Sequence, residues 1–179
     1  MSLHNEPFFW ALVSAFGLVG CCAVVGSKRV GRNTALSTLL IGLFDLGRFF
    51  LVLVDQPRFD LGGGVDLLGG VALVVGGYVA LAPCFMIAPL NVAEQSTALQ
   101  TSGFYAVVRN PIYLGELLWC LGWALVNHST VGVLLVPVWW VALLMLIAIE
   151  EEMLERELGQ PYRAYKQRVR GRIVPGLPV

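Results

Sequence analysis

The chain has 179 residues, of which 57% are hydrophobic and 13% are charged, with a mean hydropathy of +0.74 and a formal net charge of zero. A soluble domain carries about 25% charged residues, and a globular core does not explain so large a deficit. Composition therefore excludes a soluble enzyme and predicts one all-α integral membrane domain over residues 1–179. We expect no nucleic-acid partner.

Five apolar segments match or approach the roughly 20 residues that a membrane-spanning helix needs. They cover residues 7–26, 35–54, 65–88, 111–126 and 131–149. The first three form a scaffold over residues 1–88, and residues 89–179 supply a loop, a helical hairpin and a tail. His4 and Glu6, rather than basic residues, precede the first segment, so we expect it to remain in the mature protein.

Most basic residues fall on one side of this five-span topology. They are Lys28, Arg29, Arg32, Arg109, Arg156, Arg163, Lys166, Arg168, Arg170 and Arg172. Arg58 falls on the other side, and Arg48 lies inside the second span. Because cytoplasmic loops are enriched in Lys and Arg, we expect an outside N-terminus and a cytoplasmic C-terminus. The short chain without sorting signals favours a bacterial plasma membrane, with the endoplasmic reticulum as the alternative.

Glycines recur every seven residues in and around the start of the third span. One set is Gly62, Gly69 and Gly76, and the other is Gly63, Gly70 and Gly77. Seven residues are about two helical turns, so each set forms a stripe on which a neighbouring helix can approach closely in lipid. We expect packing within the chain or between copies in a homo-oligomer. No Gly-Lys-Ser/Thr follows, which excludes a phosphate-binding loop.

Charged residues inside the spans are few. Asp45 and Arg48 lie three residues apart, on one helical face. A charge in the bilayer is a functional candidate, but this pair neutralises itself, which favours a structural ion pair. Glu116 lies about two turns into the fourth span. The cysteines show no metal-ligand spacing, so we predict no metal site.

Residues 127–130 leave room only for a tight turn, which makes spans four and five an antiparallel hairpin. The hairpin brings Arg109 towards the acidic cluster Glu150, Glu151 and Glu152. The polar segment 89–110 is the longest connection, and loops of such length are usually functional or disordered. We therefore expect a functional site at this end of the hairpin.

The tail begins where Gly159 and Pro161 interrupt the helical pattern. We expect a cytoplasmic amphipathic helix there, with Tyr162 and Tyr165 anchored at the membrane interface and basic residues facing lipid head groups.

Two motifs in the second half of the chain follow one another at a recognisable interval. They consist of Gly103, Tyr105, Arg109, Asn110, Pro111, Tyr113 and Gly115, followed by Glu150, Glu151, Leu154, Leu158, Gly159, Tyr162 and Tyr165. The pattern resembles the membrane methyltransferases, the superfamily of isoprenylcysteine carboxyl methyltransferases and phospholipid N-methyltransferases. The similarity covers roughly residues 89–175.

This resemblance implies S-adenosylmethionine as cofactor and a lipophilic substrate from the bilayer, such as a prenylcysteine, a lipid amine or a thiol. Carried over by position, the cofactor-binding residues would be Thr97, Ala98, Leu99, Gln100, Tyr105, Asn110, Pro111, Ile112, Tyr113 and Glu150. The catalytic candidates are Arg109, near the cofactor carboxylate, and Glu116 and Glu151, either of which would accept the proton of the nucleophile unless water does.

Two departures from the pattern bear on the substrate and the chemistry. Asn110 stands where a histidine is frequent, and an amide cannot titrate. Leu146 stands where the isoprenylcysteine enzymes carry an arginine, which weakens the case for a carboxylate substrate. Two alternatives stay open: an NADPH-dependent sterol-type reductase, whose C-terminal hairpin is similar, and a non-enzymatic helical membrane protein.

Overall fold

The structure, a computed structural model, describes residues 3–26, 34–87 and 99–177. Six α-helices lie in these ranges: α1 (Pro7–Gly26), α2 (Thr34–Leu53), α3 (Gly63–Ile87), α4 (Pro111–Val126), α5 (Thr130–Leu158) and α6 (Gln160–Arg168). Short 3-10 turns occupy Leu3–Asn5 and Gly103–Ala106. No strand occurs in the described ranges, and the all-helical prediction is confirmed.

Three of the helices are long and apolar enough to cross a membrane, namely α1, α3 and α5. Helix α4 is apolar but has only 16 residues. At 1.5 Å per residue it spans about 24 Å, less than the roughly 30 Å of a hydrocarbon core. The chain is thus an integral membrane protein, while its five-span topology and its orientation stay predictions.

The ends of the helices follow local chemistry. Pro111 begins α4 at a position where its missing N–H costs nothing. Helix α5 continues past Ile149 to Leu158, because backbone hydrogen bonds do not depend on the hydropathy of the side chains. Gly159, with φ of 61°, ends it. The glutamates therefore lie on an unbroken helix rather than at the start of a new one.

Helices α1 and α2 form one close pair, and α3 and α4 form another. A Cβ atom on Gly17 would lie 2.5 Å from the backbone nitrogen of Phe44, and one on Gly115 would lie 2.7 Å from the carbonyl oxygen of Gly76. Real side chains are not tolerated at such distances, so both pairs depend on glycine at the point of contact.

The predicted glycine stripe is confirmed in part. Gly69 and Gly76 face the backbone of α4. Gly62 precedes α3 and has φ of 79°, and a Cβ atom added to Gly63 or Gly70 would have no heavy atom within 4 Å. Packing through the stripe is thus internal at two positions, and self-association through the open glycines stays a prediction.

We expect Gly76→Val to destabilise the protein by about 1–3 kcal/mol, because its Cβ would overlap the backbone of α4, which cannot rotate away. Thermal unfolding in detergent, followed by tryptophan fluorescence, measures the shift. Gly70→Val is the matched control, since its side chain enters open space on the same helix. Equal shifts for the two variants would contradict the close contact between α3 and α4.

The hairpin of α4 and α5 turns at His128, which has φ of 53°. Ser129 caps α5, where its Oγ accepts a hydrogen bond from the backbone N–H of Gly132 at 2.9 Å. Helix α5 then packs against α1, α2 and α4. Its fully buried Leu143 and Ile147 lie in the largest core cluster. This packing places the start of α4 beside the C-terminal part of α5.

Candidate functional site

Arg109 lies just before α4 and is buried. Its Nε donates a hydrogen bond to Oε1 of Glu151 at 2.7 Å. Its Nη1 donates to the carbonyl oxygens of Val169 at 2.8 Å and Arg170 at 2.7 Å. The prediction that the hairpin brings Arg109 to the glutamates is confirmed. The same guanidinium also binds the backbone of the tail segment, by which we mean residues 169–177.

The tail segment is held by the backbone as well. The N–H groups of Arg109 and Asn110 donate to the carbonyl oxygens of Gly171 and Arg172, both at 2.9 Å. Ile173 is completely buried in the largest core cluster. The tail segment is therefore an integral part of the fold beside the loop that precedes α4.

Glu151 is 3% exposed and is bound on both carboxylate oxygens. Oε1 accepts from Arg109, and Oε2 accepts from Nε of Arg172 at 3.2 Å. A buried carboxylate that is bound on both oxygens can hold together the elements that carry its partners. Here they are α5, the loop before α4 and the tail segment. Glu151 does not line the cavity described next.

A cavity of about 380 Å³ lies between α1, α2, α4 and α5. Eight of the predicted cofactor-binding and catalytic residues line it: Tyr105, Arg109, Asn110, Pro111, Ile112, Tyr113, Glu116 and Glu150. Most of the rest of the lining is aliphatic or aromatic. The two motifs of the sequence thus meet at one cavity with few polar groups, which we call the motif cavity.

The polar groups of the motif cavity are tied to one another and to the protein. Tyr113 donates from its hydroxyl to Oε1 of Glu150 at 2.7 Å. Glu116 accepts from Nη2 of Arg48 at 2.6 Å. The Asp45–Arg48 ion pair predicted from their spacing is present, and Glu116 joins it.

Helix α6 supports the loop before α4 from outside the membrane spans. Tyr162 and Tyr165 are buried there against Leu99, Leu154 and Leu158. The hydroxyl of Tyr165 donates to the carbonyl oxygen of Tyr105 at 2.8 Å. Burial raises the pKa of Tyr165 to about 12 and raises the pKa of Tyr162 as well, so both phenols remain neutral donors at physiological pH.

The interface-anchor interpretation of these two tyrosines was wrong. Both rings are buried within the protein, where they connect α6 to the end of α5 and to the loop. The sequence pattern alone does not distinguish an aromatic residue that faces lipid from one that packs on a neighbouring helix.

The predicted cofactor loop is described only at its end. Thr97 and Ala98 lie outside the described residues. Leu99 packs with the tyrosines of α6, and Nε2 of Gln100 donates to Oγ of Ser102 at 3.0 Å. Neither Leu99 nor Gln100 lines the motif cavity.

The cavity wall contributed by the first two helices was missed from the sequence. The residues not singled out are Leu18, Cys21, Ile41 and Phe44 on α1 and α2, together with Leu143 on α5. None belongs to a polar pattern, so no local signal marks them. Leu146 also lines the cavity, which places the substituted arginine position of the motif at the site.

Comparison with known proteins agrees with this geometry. A family model described as phospholipid methyltransferase matches residues 61–161, more than half of the chain. The chain belongs to this family of membrane methyltransferases. No curated protein and no solved structure matches it. The family match favours methyl transfer over the reductase and the non-enzymatic alternatives.

Proposed function

We propose that the chain is an S-adenosylmethionine-dependent methyltransferase that acts on a lipophilic substrate at the cytoplasmic face of the membrane. The observation that carries this proposal is the meeting of the two methyltransferase-like motifs at one cavity, where the motif residues that line it lie inside the family-matched region. The excess of basic residues on one side of the predicted topology supports the choice of face.

The motif cavity fits a cofactor of this kind. Its volume of about 380 Å³ falls in the range of small-molecule sites, about 300–1,000 Å³. Apolar walls with a few converging polar groups suit an amphiphilic ligand. The residues that would hold it are Tyr105, Asn110, Pro111, Ile112, Tyr113 and Glu150. When bound, S-adenosylmethionine supplies a methyl group on a positively charged sulfur.

Glu150 is the electrostatic centre of the proposed site. In surroundings of low dielectric constant, its carboxylate attracts a nearby positive charge more strongly than it would in water. The hydroxyl of Tyr113 holds that carboxylate in one orientation. The apolar wall, including Leu143 and Leu146, excludes water. Alignment and exclusion of water are the main contributions that methyl transfer requires from a protein.

The three predicted catalytic residues differ in how they meet the cavity. Glu116 lines it, and we propose that this carboxylate accepts the proton released by an N–H, O–H or S–H acceptor. Glu151 lies outside the lining, and we propose that it is a positioning residue which acts through Arg109. Arg109 does both: its side chain lines the cavity, and its guanidinium binds the backbone of the tail segment.

The nature of position 146 favours a substrate without a free carboxylate. Leu146 is buried and lines the cavity, where it offers no charge to pair with an anion. A lipid amine or another lipophilic nucleophile therefore fits this wall better than a prenylcysteine carboxylate does.

Calorimetry on the purified protein in detergent tests the cofactor. S-adenosylhomocysteine has a neutral sulfur but keeps a positive ammonium group. It should bind, and Glu150→Gln should weaken its binding about tenfold if that ammonium is the partner of the carboxylate. Tyr113→Phe should weaken it less, since it only frees the carboxylate to rotate. Glu152→Gln is the control, because that carboxylate is exposed and pairs with Arg156 away from the cavity.

Binding of NADPH without binding of S-adenosylhomocysteine would overturn the proposal in favour of the reductase. Binding of neither ligand would favour a non-enzymatic protein. If S-adenosylhomocysteine binds, incubation of membranes with cofactor radiolabelled in the methyl group, followed by lipid extraction, identifies the chemical class of the acceptor.

A further inference from the structure

A second polar cluster lies in the helix bundle around the buried Arg48, with Asp45 partly exposed. Nη2 of Arg48 on α2 donates to Asp45 on the same helix and to Glu116 on α4, the latter at 2.6 Å. The guanidinium carbon lies 3.8 Å from the ring centroid of Phe44. Charged groups at such depth are rare in membrane helices and mark substrate or ion pathways by default.

Arg48 has more donors than the protein satisfies. The residue is 3% exposed, and its Nε and Nη1 have no hydrogen-bond partner among the residues that the structure describes. Buried polar groups in native proteins are almost always paired with protein, water or ligand. The thiol of Cys120, a weak acceptor, is a further group that interacts with this guanidinium. The buried guanidinium therefore still has capacity for an additional oxygen acceptor.

A cavity of about 240 Å³ adjoins this cluster, between α2, α3 and α4. Its polar lining consists of Asp45, Arg48 and Glu116, and the rest is Gly77, Ala80, Leu81 and Trp119. We call it the lateral cavity. Glu116 lines both the lateral cavity and the motif cavity. One carboxylate thus connects the proposed cofactor site to a second, mostly apolar compartment with a charged end.

We propose that the lateral cavity binds the methyl acceptor, and that the acceptor is an amphiphile whose polar end carries an N–H or O–H donor beside an oxygen acceptor. The role of this ligand as methyl acceptor rests on the proposed function, whereas its binding does not. The donor meets the carboxylates of Asp45 and Glu116, and the oxygen meets the guanidinium of Arg48, all three of which line this cavity.

The charge of the cluster selects against anions. One guanidinium faces two carboxylates, so the formal charge is negative, and both carboxylates share the same nitrogen of Arg48. A fatty acid carboxylate would add a third negative charge in a medium that screens poorly. An amino alcohol or a diol supplies donors without that repulsion, and its apolar chain can lie along Leu81 and Trp119.

Binding of radiolabelled sphingosine to the purified full chain in lipid nanodiscs, without S-adenosylmethionine, tests the proposal. We expect saturable binding that Asp45→Asn weakens about tenfold or more. The affinity for S-adenosylhomocysteine should stay unchanged in this variant, because Asp45 does not line the motif cavity. Asp66→Asn is the isosteric control, since that carboxylate pairs with His128. Equal binding of sphingosine to the wild type and Asp45→Asn would overturn the proposal.

Competing ligands test the chemistry of the polar end. Displacement of sphingosine by monoolein, a diol, would support the proposal and show that hydroxyl donors suffice. Lack of displacement by monoolein would contradict the proposal that a hydroxyl donor suffices and would restrict the ligand to amines. Palmitate should not compete, and displacement by palmitate at the same concentration as monoolein would contradict selection against anions.

A steric pair of variants locates the bound ligand. A Cβ on Gly77 would lie 4.0 Å from Cδ1 of Trp119, so Gly77→Leu fits the backbone while its side chain fills the lateral cavity. It should abolish sphingosine binding. Gly70→Leu, two turns earlier in open space, should not. Sphingosine binding by Gly77→Leu at wild-type affinity would place the ligand elsewhere and overturn the proposal.

The two proposals fail separately. If the wild type binds sphingosine with the expected sensitivity to Asp45→Asn but does not bind S-adenosylhomocysteine, the lateral cavity stands and the methyltransferase proposal fails. If S-adenosylhomocysteine binds and sphingosine does not, only the acceptor site fails.

Discussion

Arg109→Ala is expected to lower the free energy of unfolding by about 3–5 kcal/mol, because it leaves the buried carboxylate of Glu151 without its closest partner. It also removes the donor to two carbonyl oxygens of the tail segment. Unfolding in mixed micelles of detergent and SDS, followed by tryptophan fluorescence, measures the change. S-adenosylhomocysteine binding should fall in parallel, since the loop that carries Asn110 loses its support.

A surface ion pair provides the control for this prediction. Arg156→Ala removes an exposed arginine that pairs with Glu152 on α5, and exposed pairs contribute about 0–1 kcal/mol. If Arg109→Ala unfolds like the wild type and loses only cofactor binding, then its guanidinium contacts the cofactor and does not act through the fold.

The helices were predictable because a long apolar segment in the sequence indicates a helix in the membrane. Residues 7–26 and 111–126 were predicted with the bounds that α1 and α4 have. The fifth apolar segment was predicted to end at residue 149, where hydropathy falls, whereas the backbone hydrogen bonds of α5 continue to Leu158. Hydropathy indicates where an apolar span ends, while the end of the helix lies at Gly159, which was predicted to interrupt the helical pattern and has a positive φ.

The candidate site was predictable where its residues form local motifs. Arg109 contacts Glu151 and Tyr113 contacts Glu150 because a short turn joins α4 to α5, and a tight turn can be predicted from a sequence. Leu18 and Phe44, by contrast, reach the cavity only through the pairing of α1 with α2. The sequence of an apolar helix without a polar pattern does not show which helix packs beside it, because many pairings bury similar surfaces.

The polar cluster of Asp45, Arg48 and Glu116 was likewise predictable only where its residues are close in the sequence. The spacing of Asp45 and Arg48 predicted their ion pair. Glu116 lies 68 residues further along the chain, and its contact with Arg48 depends on the packing of α2 on α4. A sequence shows that a charge in a membrane span needs a partner, but it does not show which partner is near.

Ile173→Ala is expected to destabilise the protein by about 2–5 kcal/mol, the range for truncating a fully buried aliphatic side chain. Its side chain inserts the tail segment into the core beside Leu143 and Leu146. Leu177→Ala, in the same segment but exposed, should change stability by less than about 0.5 kcal/mol. The micelle unfolding assay used for Arg109→Ala measures both changes.

The double variant Arg109→Ala/Ile173→Ala decides whether the two residues act through the same element. Arg109 binds the backbone of the tail segment and Ile173 buries its side chain, so either substitution alone should release much of that segment. The second substitution then has less left to remove, and the combined loss should be smaller than the sum by about 0.5–3 kcal/mol. Additive losses would mean that Arg109 stabilises Glu151 and the loop independently of the tail segment.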